Sequence, residues 1–105
     1  MQLNIKDRLV LQGLIMSFKG GRIDTLALKE ITILIEVTTS DIEKYDIKES
    51  GNGLVWPNNE ATAIEIELNR KQNESLINLA HFVDDNKAYT LDNATILERI
   101  LTELR

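Results

Sequence analysis

The apolar residues of this chain change period partway along it. Up to Tyr45, and again from Leu76, they recur at three- and four-residue spacings. Between Asp46 and Leu68 they alternate, most plainly where Ile64, Ile66 and Leu68 take turns with Glu65 and Glu67. A period near 3.6 places apolar side chains on one stripe of a helix, and a period of two places them on one face of a strand. Helices, then strands, then helices is the order of an α+β domain rather than of an alternating chain with a parallel sheet. At 105 residues, with no internal repeat, low-complexity run or linker, the chain predicts one domain over residues 1–105 around one core.

Local signals divide the helical blocks. Asn4 can cap a helix that starts at Ile5, carries Leu9, Leu11, Leu14, Ile15 and Phe18, and stops at Gly20-Gly21. Asp24 is the expected cap of a second helix, with Ile23 and Leu28 at the spacing of a hydrophobic staple. That helix is apolar nearly all round, which predicts a central position. Its β-branched run from Ile31 to Val37 makes a strand the rival reading there. Ser40 and Glu43 have the spacing of a capping box for a short third helix.

Three strands are expected next, as a small antiparallel meander between the third and fourth helices. Ile47–Glu49 and Leu54–Trp56 flank the turn Ser50-Gly51-Asn52-Gly53, and Thr62–Leu68 supplies the third strand with one wet face. Asn69 and Gln72 open a fourth helix with the stripe Leu76, Leu79, Ala80 and Val83, flanked by Ile77 and Phe82. After the polar turn Asp84–Lys87, Thr90 can cap a fifth helix striped by Ala94, Leu97, Ile100, Leu101 and Leu104.

Composition narrows the functions open to such a domain. There is no cysteine, so disulfides, thiolate metal sites and cysteine nucleophiles are excluded. Seventeen Asp and Glu against twelve Lys and Arg leave a formal charge of -5, the wrong sign for generic attraction to nucleic-acid phosphates or anionic membranes. Lys6, Asp7 and Arg8 interrupt the first apolar stretch, so no secretory signal is read there, and no apolar run approaches the length of a membrane span. A cytoplasmic protein is expected.

Candidate chemistry is sparse. The one histidine, His81, lies in the fourth predicted helix without a nucleophile and acid pointed to by spacing, so it reads as an ordinary helix residue. Glu65 and Glu67 project from one strand face about 7 Å apart, a spacing that suits a hard cation or a glycosidase pair. Charged residues on an exposed strand also keep that face wet and discourage edge pairing, which is the preferred reading. Asp84-Asp85-Asn86 lacks the alternating ligands and closing glutamate of a calcium loop, and neither glycine cluster forms a phosphate-binding motif. No catalytic residue, metal ligand, cofactor or small-molecule substrate is therefore expected.

Taken together, "IKDRLVLQGLIM", "GGRIDTLALKEI", "DIEKYDIKESGNGLVW" followed by "AIEIEL", and "DDNKAYTLDNATILERI" resemble a group of short proteins of bacterial viruses and prophages. The resemblance spans most of the chain and implies an apolar N-terminal helix, a hairpin ending in tryptophan, an acidic alternating strand and a paired-helix end. Where members of the group tend to be aromatic near the C-terminus, this chain has Leu101 and Leu104. The group carries no biochemical role to transfer.

The expected function is a protein-interaction or structural accessory role, with a protein partner or a second copy bound through surplus apolar helix surface. The alternative is a nucleic-acid-associated regulator, because helices followed by a hairpin match a winged helix in element order, or an acidic mimic that occupies a DNA-binding protein. Charge placement opposes direct nucleic-acid binding, since "TSDIEKYDI" ahead of the hairpin sets Asp41, Glu43 and Asp46 against Lys44 alone. Trp56, with Glu65 and Glu67, is the candidate partner-binding set. Trp56 is otherwise expected to pack between the sheet and the fourth helix.

Overall fold

Three helices begin with the same reciprocal device. In α1 (Ile5–Ser17), the Asn4 side chain accepts from the Asp7 amide at 2.8 Å while the Asn4 amide donates to the Asp7 carboxylate at 3.1 Å. Thr38 and Asp41 do the same for α3 (Thr39–Lys44), and Asn69 and Gln72 for α4 (Arg70–Asp85). Each box satisfies amides that a helix start otherwise leaves unpaired. The expected boxes at Asn4 and Asn69 are present. The one for α3 lies two residues before Ser40, because Thr38-x-x-Asp41 competes for the same turn and Asp41 has a second partner described below.

The computed structural model describes residues 1–104. Between α1 and α3, α2 spans Arg22–Ile35, so the rival strand over Ile31–Val37 does not form. Its N-cap is Gly21, without a side-chain cap. Asp24 instead lies in the first turn and turns sideways to α4, accepting from Ser75 Oγ at 2.8 Å, Asn78 Nδ2 at 3.1 Å and Lys71 Nζ at 3.4 Å. The cap expected of Asp24 is replaced by a polar tie between helices. α5 (Ala94–Glu103) follows a turn in which Thr90 and Asn93 bond each other's amides, so Thr90 holds the approach to the helix.

The meander does not form. The hairpin strands β2 (Lys48–Ser50) and β3 (Gly53–Val55) pair only with each other, and β4 (Ile64–Glu65) pairs antiparallel with β1 (Gln2–Leu3) at the opposite end of the sequence. Pro57 has no amide proton to carry a ladder onward, and a short 3-10 turn over Glu60–Thr62 redirects the chain. Thr62, fully buried there, accepts from the Ile5 amide at 2.8 Å and donates to Asn59 O at 2.6 Å, which seats β4 beside the start of α1. Among the described residues the fold is thus α+β with five helices and two small antiparallel sheets rather than one three-stranded sheet.

The core is built from Leu3 of β1, Leu11 and Ile15 of α1, Leu28, Ile31 and Ile35 of α2, the α4 stripe, Ile66, and Ile96, Leu97 and Ile100 of α5. Phe18 and Phe82 close one end edge-to-face with ring centres 5.2 Å apart. Arg99 binds α5 to the N-terminal segment, donating to Asp7 and to Gln2 O at 3.2 and 2.6 Å. No helix is long and apolar enough to cross a membrane among the described residues.

Candidate interaction surface

Arg8 is the residue that the periodicity does not announce and the structure places most tellingly. It sits on the buried stripe of α1 between Ile5 and Leu11 and is 3% exposed. A buried guanidinium requires partners. Nε donates to Ile35 O at 2.9 Å and Nη2 to Glu36 O at 2.6 Å, so it caps the C-terminal carbonyls of α2, where a cation is favoured. Nη2 also meets Asp41 Oδ2 at 2.9 Å, while Nη1 is buried with no protein partner among the described residues. Burial pushes the Asp41 carboxyl up, but hydrogen bonds from Arg8 and Thr38 outweigh it and hold it below its ordinary value. Arg8 thereby fixes α1, the end of α2 and the start of α3 to one another.

Beside that anchor lies a cleft of about 410 Å³. Leu9 of α1, Val37 of the α2–α3 link, Ile42 of α3, and Ile47 and Leu54 at the hairpin make its apolar lining, with Gln12, Glu36 and Glu49 at the rim. Its far wall is set by the end of α3. Asp46 adopts a left-handed φ of 53° and the Ile47 amide donates to Ile42 O at 3.0 Å, the long bond of a Schellman ending, which brings Ile42 and Ile47 together. The hairpin then turns tightly, with Gly51 at φ 59° in the first central position, as a type II′ turn requires. The positive φ thus falls on Gly51 and not on the Asn52-Gly53 pair that the sequence suggests.

A second surface lies on α2. At about 100° per residue, Ala27, Leu28, Ile31 and Ile35 share the buried arc, while Ile23, Leu26, Ile33 and Leu34 share an adjacent arc with Glu30 at its middle. The latter four are exposed, Ile33 to 69% and Ile23 to 63%. The helix is apolar on two sides, as its composition requires, but only one side is covered. It is not enclosed as expected of a central helix.

The sequence-derived residues are scattered around these surfaces. Trp56 is half-buried, lies just beyond β3 and outside the main core cluster, and donates from Nε1 to Asn59 Oδ1 at 3.0 Å; it does not wedge between a sheet and α4 as expected. Glu65 is exposed in β4 and its carboxylate bonds the Met1 amino group at 2.8 Å. Glu67 is exposed beyond the end of β4, and Ile64, Ile66 and Leu68 turn inward as the alternation predicts. His81 is exposed on α4. Trp56, Glu65 and Glu67 do not line the cleft, and the cues that could have found the cleft were Arg8 on an apolar stripe and the excess apolar residues Ile42 and Leu54. No known family model, curated protein or solved structure matches the chain.

Proposed function

We propose that the protein is a non-enzymatic interaction module of the cytoplasm that binds a protein partner, or a second copy of itself, through the outward face of α2. The observation that carries this reading is the uncovered arc of Ile23, Leu26, Ile33 and Leu34 on a helix whose adjacent arc is already in the core. Four large apolar side chains on one helix face gain from being removed from water, at about 25 cal/mol for each Å² covered.

The test is affinity capture of tagged protein from its native cells, with and without nuclease, beside light scattering on the purified sample. A stoichiometric partner that survives nuclease, or a dimer mass, is expected in the parent protein and should be lost in Leu26→Ser/Ile33→Ser. Capture that disappears with nuclease overturns the reading in favour of nucleic-acid association.

A further inference from the structure

The geometry points to the cleft beside the hairpin as a docking site for a cationic, amphipathic segment of another protein. This rests on the reading of the chain as an interaction module, but it names a surface separate from α2 and the chemistry of its occupant. The apolar lining comes from four separate parts of the fold, and Ile42 and Leu54 remain 45% and 41% exposed within it. A volume near 410 Å³ is in the range that receives a bulky apolar side chain or a small ligand.

The rim decides the charge of the occupant. Glu36 stands on the α2–α3 link and Glu49 on β2; both are exposed, and neither forms an ion pair among the described residues. Among the described residues, no Lys or Arg lines the cleft. Lys48, next to Glu49 in sequence, pairs with Asp46 at 3.5 Å, and Lys44 lies over the Tyr45 ring at 5.2 Å. Two carboxylates with no ion-pair partner among the described residues, set around an apolar floor, favour a segment that presents an apolar anchor between Lys or Arg side chains, and they repel phosphate backbones. The wall on the α3 side is held by Arg8 and Asp41, so the floor is preorganised, which limits the ordering cost of binding.

The probe is a fluorescein-labelled amphipathic peptide of leucine and lysine at helical spacing, followed by fluorescence anisotropy. A lysine/serine peptide of equal charge and a leucine/glutamate peptide serve as comparisons. Only the leucine/lysine peptide should bind. Glu36→Lys/Glu49→Lys should weaken it about tenfold or more, since each exposed ion pair contributes up to about a factor of five and reversal adds repulsion. Leu54→Ser should weaken it as well, and Asp84→Lys/Asp85→Lys, an equal change in net charge at exposed residues outside the cleft lining, should leave it unchanged. Equal loss in that control pair, binding of the leucine/glutamate peptide, or no binding at all overturns the proposal. So does a fall in light-scattering mass on cleft substitution, which would make the occupant a second copy. Cellular capture that fails in the α2 variant but persists in Glu36→Lys/Glu49→Lys removes the cleft and leaves the interaction module standing. Nuclease-sensitive capture alongside cleft-dependent peptide binding does the reverse.

Discussion

Arg8 concentrates more of the structure in one side chain than any other residue, because its charge is buried and its partners come from three segments. Breaking a buried pair by removing one member leaves the other charge uncompensated, which typically costs about 3 to 5 kcal/mol. Arg8→Met retains much of the stem, yet it strips donors from Ile35 O, Glu36 O and Asp41. It should lower stability by about 3 kcal/mol in urea unfolding. Arg8→Lys should recover only part of this, because an ammonium cannot reproduce the Nε and Nη2 fork. An exposed pair such as Arg70–Glu74 should contribute less than about 1 kcal/mol in the same assay. If Arg8→Met were equally mild, the Arg8 network would not be holding α1, α2 and α3 together.

At the scale of elements, what was legible depends on how far apart the cooperating residues lie. Asn4 with Asp7 and Asn69 with Gln72 act within one turn, so both helix starts can be read directly. The stripe Leu76, Leu79, Ala80 and Val83 is equally local, and all four residues are buried. β1 is a two-residue strand whose partner begins beyond the hairpin, with no turn chemistry joining them, so β4 was assigned to the wrong neighbour. The Asp24 cap and the Ser40–Glu43 box differ from the structure for a related reason: Asp24 and Asp41 each have a partner on another helix, and the long-range contact displaced the first cap and shares the second. The cleft was illegible as a site because its lining comes from separate elements, although its apolar residues were individually conspicuous.

Helix endings give a prediction at this scale. α4 ends in a Schellman arrangement, with the Ala88 amide on Val83 O at 2.9 Å and the Lys87 amide on Asp84 O at 2.9 Å. Lys87 occupies the left-handed position at φ 54°, where a β-carbon is strained. Lys87→Gly removes that strain and should stabilise the protein by about 0.5 to 1 kcal/mol, after allowing for the larger entropy of glycine in the unfolded chain. Differential scanning calorimetry should register a melting temperature several degrees higher, and a lower one would mean that the Lys87 side chain contributes more than its backbone strain removes. Gly51 makes the opposite case. Gly51→Val should disrupt the hairpin at φ 59°, yet leave the melting temperature nearly unchanged, because β2 and β3 pack chiefly on each other. Hydrogen exchange should show faster exchange in the hairpin alone.

The whole molecule is held by two polar ties of like chemistry at separate junctions, Asp24 between α2 and α4 and Asp41 among α1, α2 and α3. For Asp24, burial raises the carboxyl, but bonds from Ser75, Asn78 and Lys71 bring it below the ordinary 3.8; for Asp41, bonds from Arg8 and Thr38 do the same. A carboxyl whose pKa is lower in the folded than in the unfolded state binds its proton more readily after unfolding. Its contribution to stability is therefore complete above 3.8 and is lost as pH falls from there through the depressed folded value. The excess of five acidic groups at neutral pH adds repulsion that weakens as carboxylates protonate towards the pI near 4.8; below it the net charge turns positive, and repulsion among the Lys and Arg side chains adds to the loss of stability. Stability measured by urea unfolding should thus stay nearly level from neutral pH to about pH 5 and drop below about pH 4. Asp24→Asn and Asp41→Asn should each be less stable than the parent at neutral pH and converge on it at the acid end, with the double variant showing the shallowest profile. Parallel profiles would mean that neither junction depends on the ionised carboxylate, and that apolar packing alone holds α4 and α3 against the rest of the domain.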